Sequence, residues 1–310
     1  MDRINLEIER FSEGDCYSFI KEITVTDLES FTQISGDVNL LHLEDLFAQE
    51  RGFKGKVVHG ALLISYISQL IGVHLTKEGS LWQGLDIKFY APCYIDDTVE
   101  IKAKVEHVSA AINTIILDLM VDNIKTGANL VKAKANVILL NKINTQKKAD
   151  QSSVNESENK KELSVKNVFP MHSFESIQLG DKVEFKVVAD ERKQQSFRDL
   201  FNDHSPIHTD NNFSSTTVFD RPIGYAFFLE GLLSHLYGHL LPGGSSICIK
   251  QESQFRKPYY IGDIINIRAE VVFKSEAIKA VEIKTMIYRN GWDECVYEGK
   301  GLVQMIKDRS

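Results

Sequence analysis

Several features are missing from this 310-residue chain, and each absence narrows what it can be. Its four cysteines, Cys16, Cys93, Cys248 and Cys295, are scattered, with no C-x-x-C pair and no Cys/His spacing of a zinc site. A disulfide framework is therefore excluded, and a reduced compartment, the cytoplasm by default, fits. No basic excess exists either: 36 Lys and Arg stand against 43 Asp and Glu, for a net charge of −7. No basic run interleaves with aromatics, so a nucleic-acid binder is disfavoured. The longest apolar stretch, Ala61 to Val73, is broken by Ser65, Ser68 and Gln69. It falls short of the roughly 18 to 20 residues that span a bilayer. The first ten residues alternate charged and apolar side chains and do not read as a signal peptide.

What is present is a globular composition, 43% hydrophobic and 25% charged. At about 100 to 200 residues per domain, two domains are expected. Comparison of residue i with residue i + 166 shows that they are copies of one another. Gly14/Gly180, Asp15/Asp181, Phe31/Phe197, Asp37/Asp203, His42/His208, Ser68/Ser234, Gly72/Gly238, Phe89/Phe255, Pro92/Pro258, Asp97/Asp263 and Val105/Val271 all match without a gap. Modules are expected at 1–140 and 167–310. The polar segment 141–166 between them cannot bury enough apolar surface to offset its ordering entropy, and reads as a linker.

Each copy repeats one set of signals. Gly60 to Gly72 and Ala226 to Gly238 are apolar and proline-free, as buried helices require. Period-2 runs follow at 99–105, 115–121 and 131–139, and again at 265–271, 281–287 and 296–306. One buried helix followed by antiparallel strands predicts an α+β module whose sheet wraps the helix.

Asp37 with His42, and Asp203 with His208, recur five residues apart after segments that read as short helices ending at Gly36 and Asn202. Both Gly and Asn accept the left-handed conformation of a helix terminus. An Asp/His pair on such a loop, around one water, exchanges protons near neutral pH. A turn-capping Asp and a gap-filling His would share this spacing, so the neighbours must decide.

Those neighbours are Ser35-Gly36-Asp37-Val38-Asn39-Leu40-Leu41-His42, then Val57-Val58-His59-Gly60, then Ser68 two turns along the helix. They resemble the MaoC-like, (R)-specific enoyl-CoA hydratase family, with its motif G-D-x-N-P-[LIV]-H followed by V-H-G. Phe89-x-x-Pro92 with Asp97, and Phe255-x-x-Pro258 with Asp263, are similar to that family's F-x-x-P-V-x-x-G-D. The resemblance covers nearly everything outside the linker and implies a double hot-dog fold. It implies reversible syn hydration and dehydration of trans-2-enoyl and (3R)-hydroxyacyl thioesters, carried by coenzyme A or an acyl carrier protein, with no cofactor and no metal. Carried over, the catalytic pair is Asp37 and His42. Asn39, His59, Gly60 and Ser68 would bind substrate, Asn39 by orienting Asp37 and Gly60 by offering its N–H to the thioester oxyanion.

The copies depart from the motif unequally. Leu40 stands where the family has proline. In the second copy Asp203, His208 and Ser234 mark a second candidate site, but Asn202 replaces Gly36, Ser205 replaces Asn39, and Gly224-Tyr225-Ala226 replaces Val58-His59-Gly60. One competent site is expected in the first copy, with the second as its dimer-like partner and acyl-tunnel wall, although in related eukaryotic double hot-dog hydratases the C-terminal half is active. A homodimer beyond this internal pseudo-dimer is left open. Arg51-Gly52-Phe53-Lys54-Gly55-Lys56 and Arg256-Lys257 could meet the phosphates of the carrier. His235 and His239 lack a third ligand for zinc. The alternatives are a carrier-protein-dependent 3-hydroxyacyl dehydratase, a hot-dog thioesterase and a non-catalytic acyl-thioester binding protein.

Overall fold

The computed structural model describes residues 8–76, 79–140 and 173–306; the segment read as a linker, 141–166, lies outside them. Period-2 patterning produces strands β1 (Cys16–Glu22), β2 (Ser80–Phe89), β3 (Thr98–Ser109), β4 (Thr114–Asn123) and β5 (Asn129–Leu139) in the first half. The second half supplies β6 (Lys182–Val188), β7 (Ser246–Phe255), β8 (Ile264–Ser275), β9 (Ala280–Arg289) and β10 (Glu294–Met305). All pair antiparallel in one ten-stranded sheet of order β1-β3-β4-β5-β2-β7-β10-β9-β8-β6. The second half of that order mirrors the first. The halves meet at β2 and β7, where Leu85 pairs with Ser253 and Ile87 with Gln251.

The helices are α1 (Val25–Ser35), α2 (Leu40–Leu43), α3 (Asp45–Glu50), α4 (Gly60–Gln69), α5 (Glu191–Phe201), α6 (Pro206–Thr209), α7 (Asn211–Ser214) and α8 (Ala226–His235). From Leu62 to Ser68 every residue of α4 is buried, as is every residue of α8 from Phe227 to Leu233. Helices apolar on all sides must be covered on all sides; these two pack on each other and on the sheet. Each runs on into a π-helical turn, Leu70–Leu75 and Leu236–Leu240. This is the expected α+β double hot-dog, with one continuous apolar core shared by both halves. Phe31, Tyr66 and Phe201 interlock there, with ring centroids 5.0 and 6.2 Å apart.

Local chemistry sets the loops that carry the Asp/His pairs. A capping box starts α1: Thr24 Oγ1 accepts the Asp27 N–H at 3.2 Å, and Asp27 Oδ2 accepts the Thr24 N–H at 2.8 Å, a device worth about 1 kcal/mol. Gly36 ends α1 at φ 76° and Asn202 ends α5 at φ 48°. The left-handed turn reverses the chain, so that Asp37 and Asp203 enter the interior rather than solvent. Among the described residues no helix is long and apolar enough to cross a bilayer.

Candidate active site

Asp37 is 1% exposed and held on all sides. Its Oδ1 accepts the backbone N–H of Asn39 at 3.1 Å, and its Oδ2 accepts the hydroxyl of Ser234, from the other half, at 2.6 Å. Burial pushes this carboxyl up, but the His42 and His59 imidazoles and the Ser234 and Asn39 hydrogen bonds outweigh burial and hold it below the usual carboxylate range. His42 Nδ1 lies 2.6 Å from the Val57 carbonyl oxygen. That bond places a proton on Nδ1, so Nε2 is the ring nitrogen that faces Asp37, 3.8 Å from Oδ2.

Above the pair opens a cavity of about 310 Å³. Asp37, Asn39, His42 and Gly60 line its polar end. Gly60 begins α4 and lines the cavity, and the first turn of that helix has no side-chain cap, so the positive end of the helix dipole lies at the cavity. A Cβ on Gly60 would stand 2.8 Å from the Phe89 ring, so the position is also sterically reserved for glycine.

Three expected substrate-binding residues sit differently from their expectation. Ser68 does not reach Asp37; its hydroxyl donates to Asp203 Oδ2 at 2.6 Å. The pseudo-twofold crosses the helices, so the end of α4 serves the second loop and the end of α8, through Ser234, serves the first. Ser234 therefore belongs to the first site and Ser68 to the second. His59 is fully buried and does not line the cavity. It stacks on His42, with centroids 3.7 Å apart, and its Nε2–H donates to the Asp37 carbonyl at 3.2 Å. Burial, aided by neighbouring His42, lowers its pKa to about 3, so it is a neutral positioning residue. The side chain of Asn39 orients Asp37 only indirectly: its Nδ2 donates to Gly238 O at 2.8 Å and Gly244 O at 2.7 Å, and its Oδ1 accepts the Leu41 N–H at 2.9 Å. It bolts the loop to the opposite half. Gly238 escaped the sequence reading; a Cβ there would stand 2.8 Å from Asp37 Oδ1.

In the second half Tyr225 takes the place of His59, donating its hydroxyl to the Asp203 carbonyl at 2.8 Å and lying over His208 with centroids 4.2 Å apart. Tyr259 stands where the first half has Cys93, is 2% exposed, and hydrogen-bonds Tyr225 O at 2.9 Å. Two aromatic rings thus fill the space over Asp203. Among the described residues no ion-pair contact joins His208 to Asp203.

Asp37, His42 and His59 do bring three ligand-type atoms within 4.8 Å, a cluster that sequence reading missed. It suits a metal poorly. The two imidazoles are stacked 30° from parallel, so their in-plane lone pairs do not converge on one ion. The bond from His59 Nε2 to Asp37 O also turns the His59 lone pair, on Nδ1, away. His235 and His239 likewise stack, 19° from parallel. Of the basic loops, Arg51 is 8% exposed and bonded to Ser245 Oγ and Phe47 O, so it braces the two halves instead of meeting phosphate. Arg256 and Lys257 are paired with Glu298 and Glu294, at 3.2 and 3.3 Å. Lys54 lies over the Tyr94 ring, 5.8 Å from its centroid, and Lys54 and Lys56 flank a segment whose neighbours Phe53 and Val57 line the cavity.

An Asp/His pair at one end of a cavity, in a double hot-dog whose two halves differ over that pair, is what the fold and site define. The MaoC like domain matches this chain twice, over residues 13–125 and 174–291, and the chain belongs to that family. It is 32% identical over 119 residues to the (R)-specific enoyl-CoA hydratase of Aeromonas caviae, covering 38% of this chain and 89% of that one. It is 28% identical over 134 residues to the 3-hydroxybutyryl-CoA dehydratase of Methylorubrum extorquens, covering 43% and 84%. A conserved hypothetical protein of Mycobacterium tuberculosis, described as a double hot-dog, superposes with a TM-score of 0.74 at 14% identity, covering 96% of this chain and 98% of that one.

Proposed function

We propose that the chain adds water reversibly across the C2=C3 bond of trans-2-enoyl thioesters to give (3R)-hydroxyacyl thioesters, with 1–140 as the catalytic module and 167–310 as its support. The observation that carries this reading is the 3.8 Å separation of Asp37 Oδ2 and His42 Nε2 at the cavity's polar end. Two acceptors at that spacing can share the two hydrogens of one water at about 2.8 Å each. Its oxygen lone pair is then free for C3. As the water oxygen bonds to C3, one member of the pair takes the proton that water loses and returns it to C2 on the same face, which regenerates the base and makes the addition syn. The charge that develops on the thioester oxygen meets the N–H of Gly60 and the α4 dipole. No step calls for a cofactor.

The hydratase and dehydratase names of the relatives support the same chemistry in either direction, with coenzyme A as the first carrier to try. The carrier-protein-dependent dehydratase is the same site read in reverse. Thioesterase chemistry, in which the water attacks the carbonyl carbon and the thiol leaves, fits less well, because the Asn39 and His59-Gly60 context of the motif speaks against it. The test is loss of enoyl-thioester absorbance with trans-2-hexenoyl-CoA and with the matching carrier-protein thioester, followed by chiral analysis. A (3R) product from either supports the proposal; a (3S) product, or no loss of absorbance with both, overturns it.

A further inference from the structure

The part of the cavity lining that α8 and β7 supply carries polar side chains, and the fold does not require them. Glu230 on α8 lines the cavity one helical turn before Ser234, the residue that touches Asp37. It is 2% exposed, and its Oε1 has no hydrogen-bond partner. Tyr237 and Gln251 line the same cavity. Tyr237 donates to Gln251 Oε1 at 2.9 Å, Gln251 Nε2 donates to the Tyr297 hydroxyl at 2.9 Å, and Ser253 Oγ lies 2.8 Å from that hydroxyl. Burial pushes the Glu230 carboxyl up to about 7, although the Ser253 and Tyr297 hydroxyls favour its ionised form.

The matching positions of the first half are Ile64, Ile71, Leu85, Ile87 and Val131, all buried and all apolar. Five substitutions in register separate the two halves: Glu230, Tyr237 and Gln251 line the cavity, and Tyr297 and Ser253 are hydrogen-bonded on from Gln251. An orphaned buried polar atom is destabilising, and an alkyl chain lying against it would leave that cost in place.

We propose that this wall selects short acyl thioesters whose chain ends in an uncharged hydrogen-bonding group, a hydroxyl being the simplest, over plain alkyl chains of equal length. A hydroxyl both donates and accepts, and so meets the Glu230 carboxyl in either protonation state. A terminal carboxylate would face Glu230 with like charge. One turn of helix, about 5.4 Å, separates Glu230 from Ser234, so the group lies about four chain atoms beyond the reacting carbons. This inference rests on the hydratase reading, and it names the substrate class of that site.

Binding of saturated thioesters, which cannot react, tests the wall separately from the chemistry. Calorimetric titration of the full chain with hexanoyl-CoA and 6-hydroxyhexanoyl-CoA should show about tenfold tighter binding of the hydroxylated chain. Glu230→Leu should abolish or reverse that preference, with Tyr237→Phe reducing it should the first variant fail to fold. Equal or weaker binding of the hydroxylated chain overturns the proposal, as does tighter binding of 6-aminohexanoyl-CoA or a preference unchanged in both variants. Turnover of trans-2-hexenoyl-CoA is scored apart. A binding preference without turnover upholds the polar wall and sinks the hydratase; turnover without preference does the opposite.

Discussion

Asp37 and Asp203 occupy nearly the same cage. Each accepts the N–H two residues ahead at 3.1 Å, and each accepts a serine hydroxyl from the opposite half at 2.6 Å. Each following histidine fixes its Nδ1 on a backbone carbonyl, at 2.6 Å for His42 and 2.8 Å for His208. The halves part company above the histidine, where His59 and Cys93 leave a cavity and Tyr225 and Tyr259 fill one. The caged carboxylate is therefore part of the joint between the halves, needed wherever a serine reaches across. On the proposed reading the space over Asp37 is what sets it apart from Asp203, so an Asp/His motif alone does not identify an active half.

The largest effect that could break this comparison comes from the carboxylates. Asp37→Asn should lower hydratase turnover by about 10³-fold, while Asp203→Asn should leave it within a few-fold, both read as loss of enoyl-CoA absorbance. The reverse ranking would move the active site to the second half. Next in size are the glycines under each cage. Gly238→Ala sets a Cβ 2.8 Å from Asp37 Oδ1 and should cost about 10²-fold in turnover by displacing the carboxylate. Gly72→Ala sets one 2.8 Å from Asp203 Oδ1 and should cost stability alone. Thermal melts run beside the assays separate the two outcomes.

A third experiment makes the halves more alike by removing the charge that Ile64 lacks. The Glu230 carboxyl ionises near 7 in the folded chain and near 4.5 when unfolded. Its folded pKa is raised, so the native state loses stability as pH climbs from about 4.5 to 7 and stays level above that. Glu230→Gln removes this loss. Its stability relative to the unsubstituted chain should improve by up to about 3 kcal/mol across that window, measured by urea unfolding at pH 5 and pH 8. A gap that does not change with pH would mean that Glu230 is solvated.

How much of this was legible in the sequence follows from what a repeat can and cannot encode. The i + 166 register predicts matched elements, and it holds in the structure: Leu85 and Gln251 occupy matching places on β2 and β7, as do Ile64 and Glu230 on α4 and α8. The left-handed ends at Gly36 and Asn202, the buried helices and the strands β3 to β5 and β8 to β10 were legible from residue type and period. The strands at the joint, β2 and β7, were not singled out, because their alternation is interrupted by Gly84 in one and by Lys250-Gln251-Glu252 in the other. The exchange of Ser68 and Ser234 was invisible for a different reason. Reading along one copy pairs each serine with its own aspartate, and only the pseudo-twofold swaps them. Two signals were present and unused: Gly72 and Gly238, each four residues past its serine, and Glu230, a lone acid in the otherwise uncharged Ala226 to Leu233.

That exchange supplies the finest test. Ser234→Ala and Ser68→Ala delete equivalent hydrogen bonds to caged carboxylates, each worth about 1.5–3 kcal/mol, so their stability losses should be similar. Their activities should not be. The Ser234 bond helps hold the Asp37 pKa down. A depressed carboxyl contributes its stability above its unfolded pKa and loses it as pH falls through the folded one. Without Ser234 the folded pKa rises, the carboxylate protonates sooner on acidification, and the acid limb of the pH–rate profile moves to higher pH, with kcat/KM down about tenfold. Ser68→Ala should leave that limb in place, because the carboxylate it releases lies under Tyr225 and Tyr259, away from the open cavity. Equal limb shifts in both variants would mean that both halves turn over substrate, and that the filled second site opens in solution.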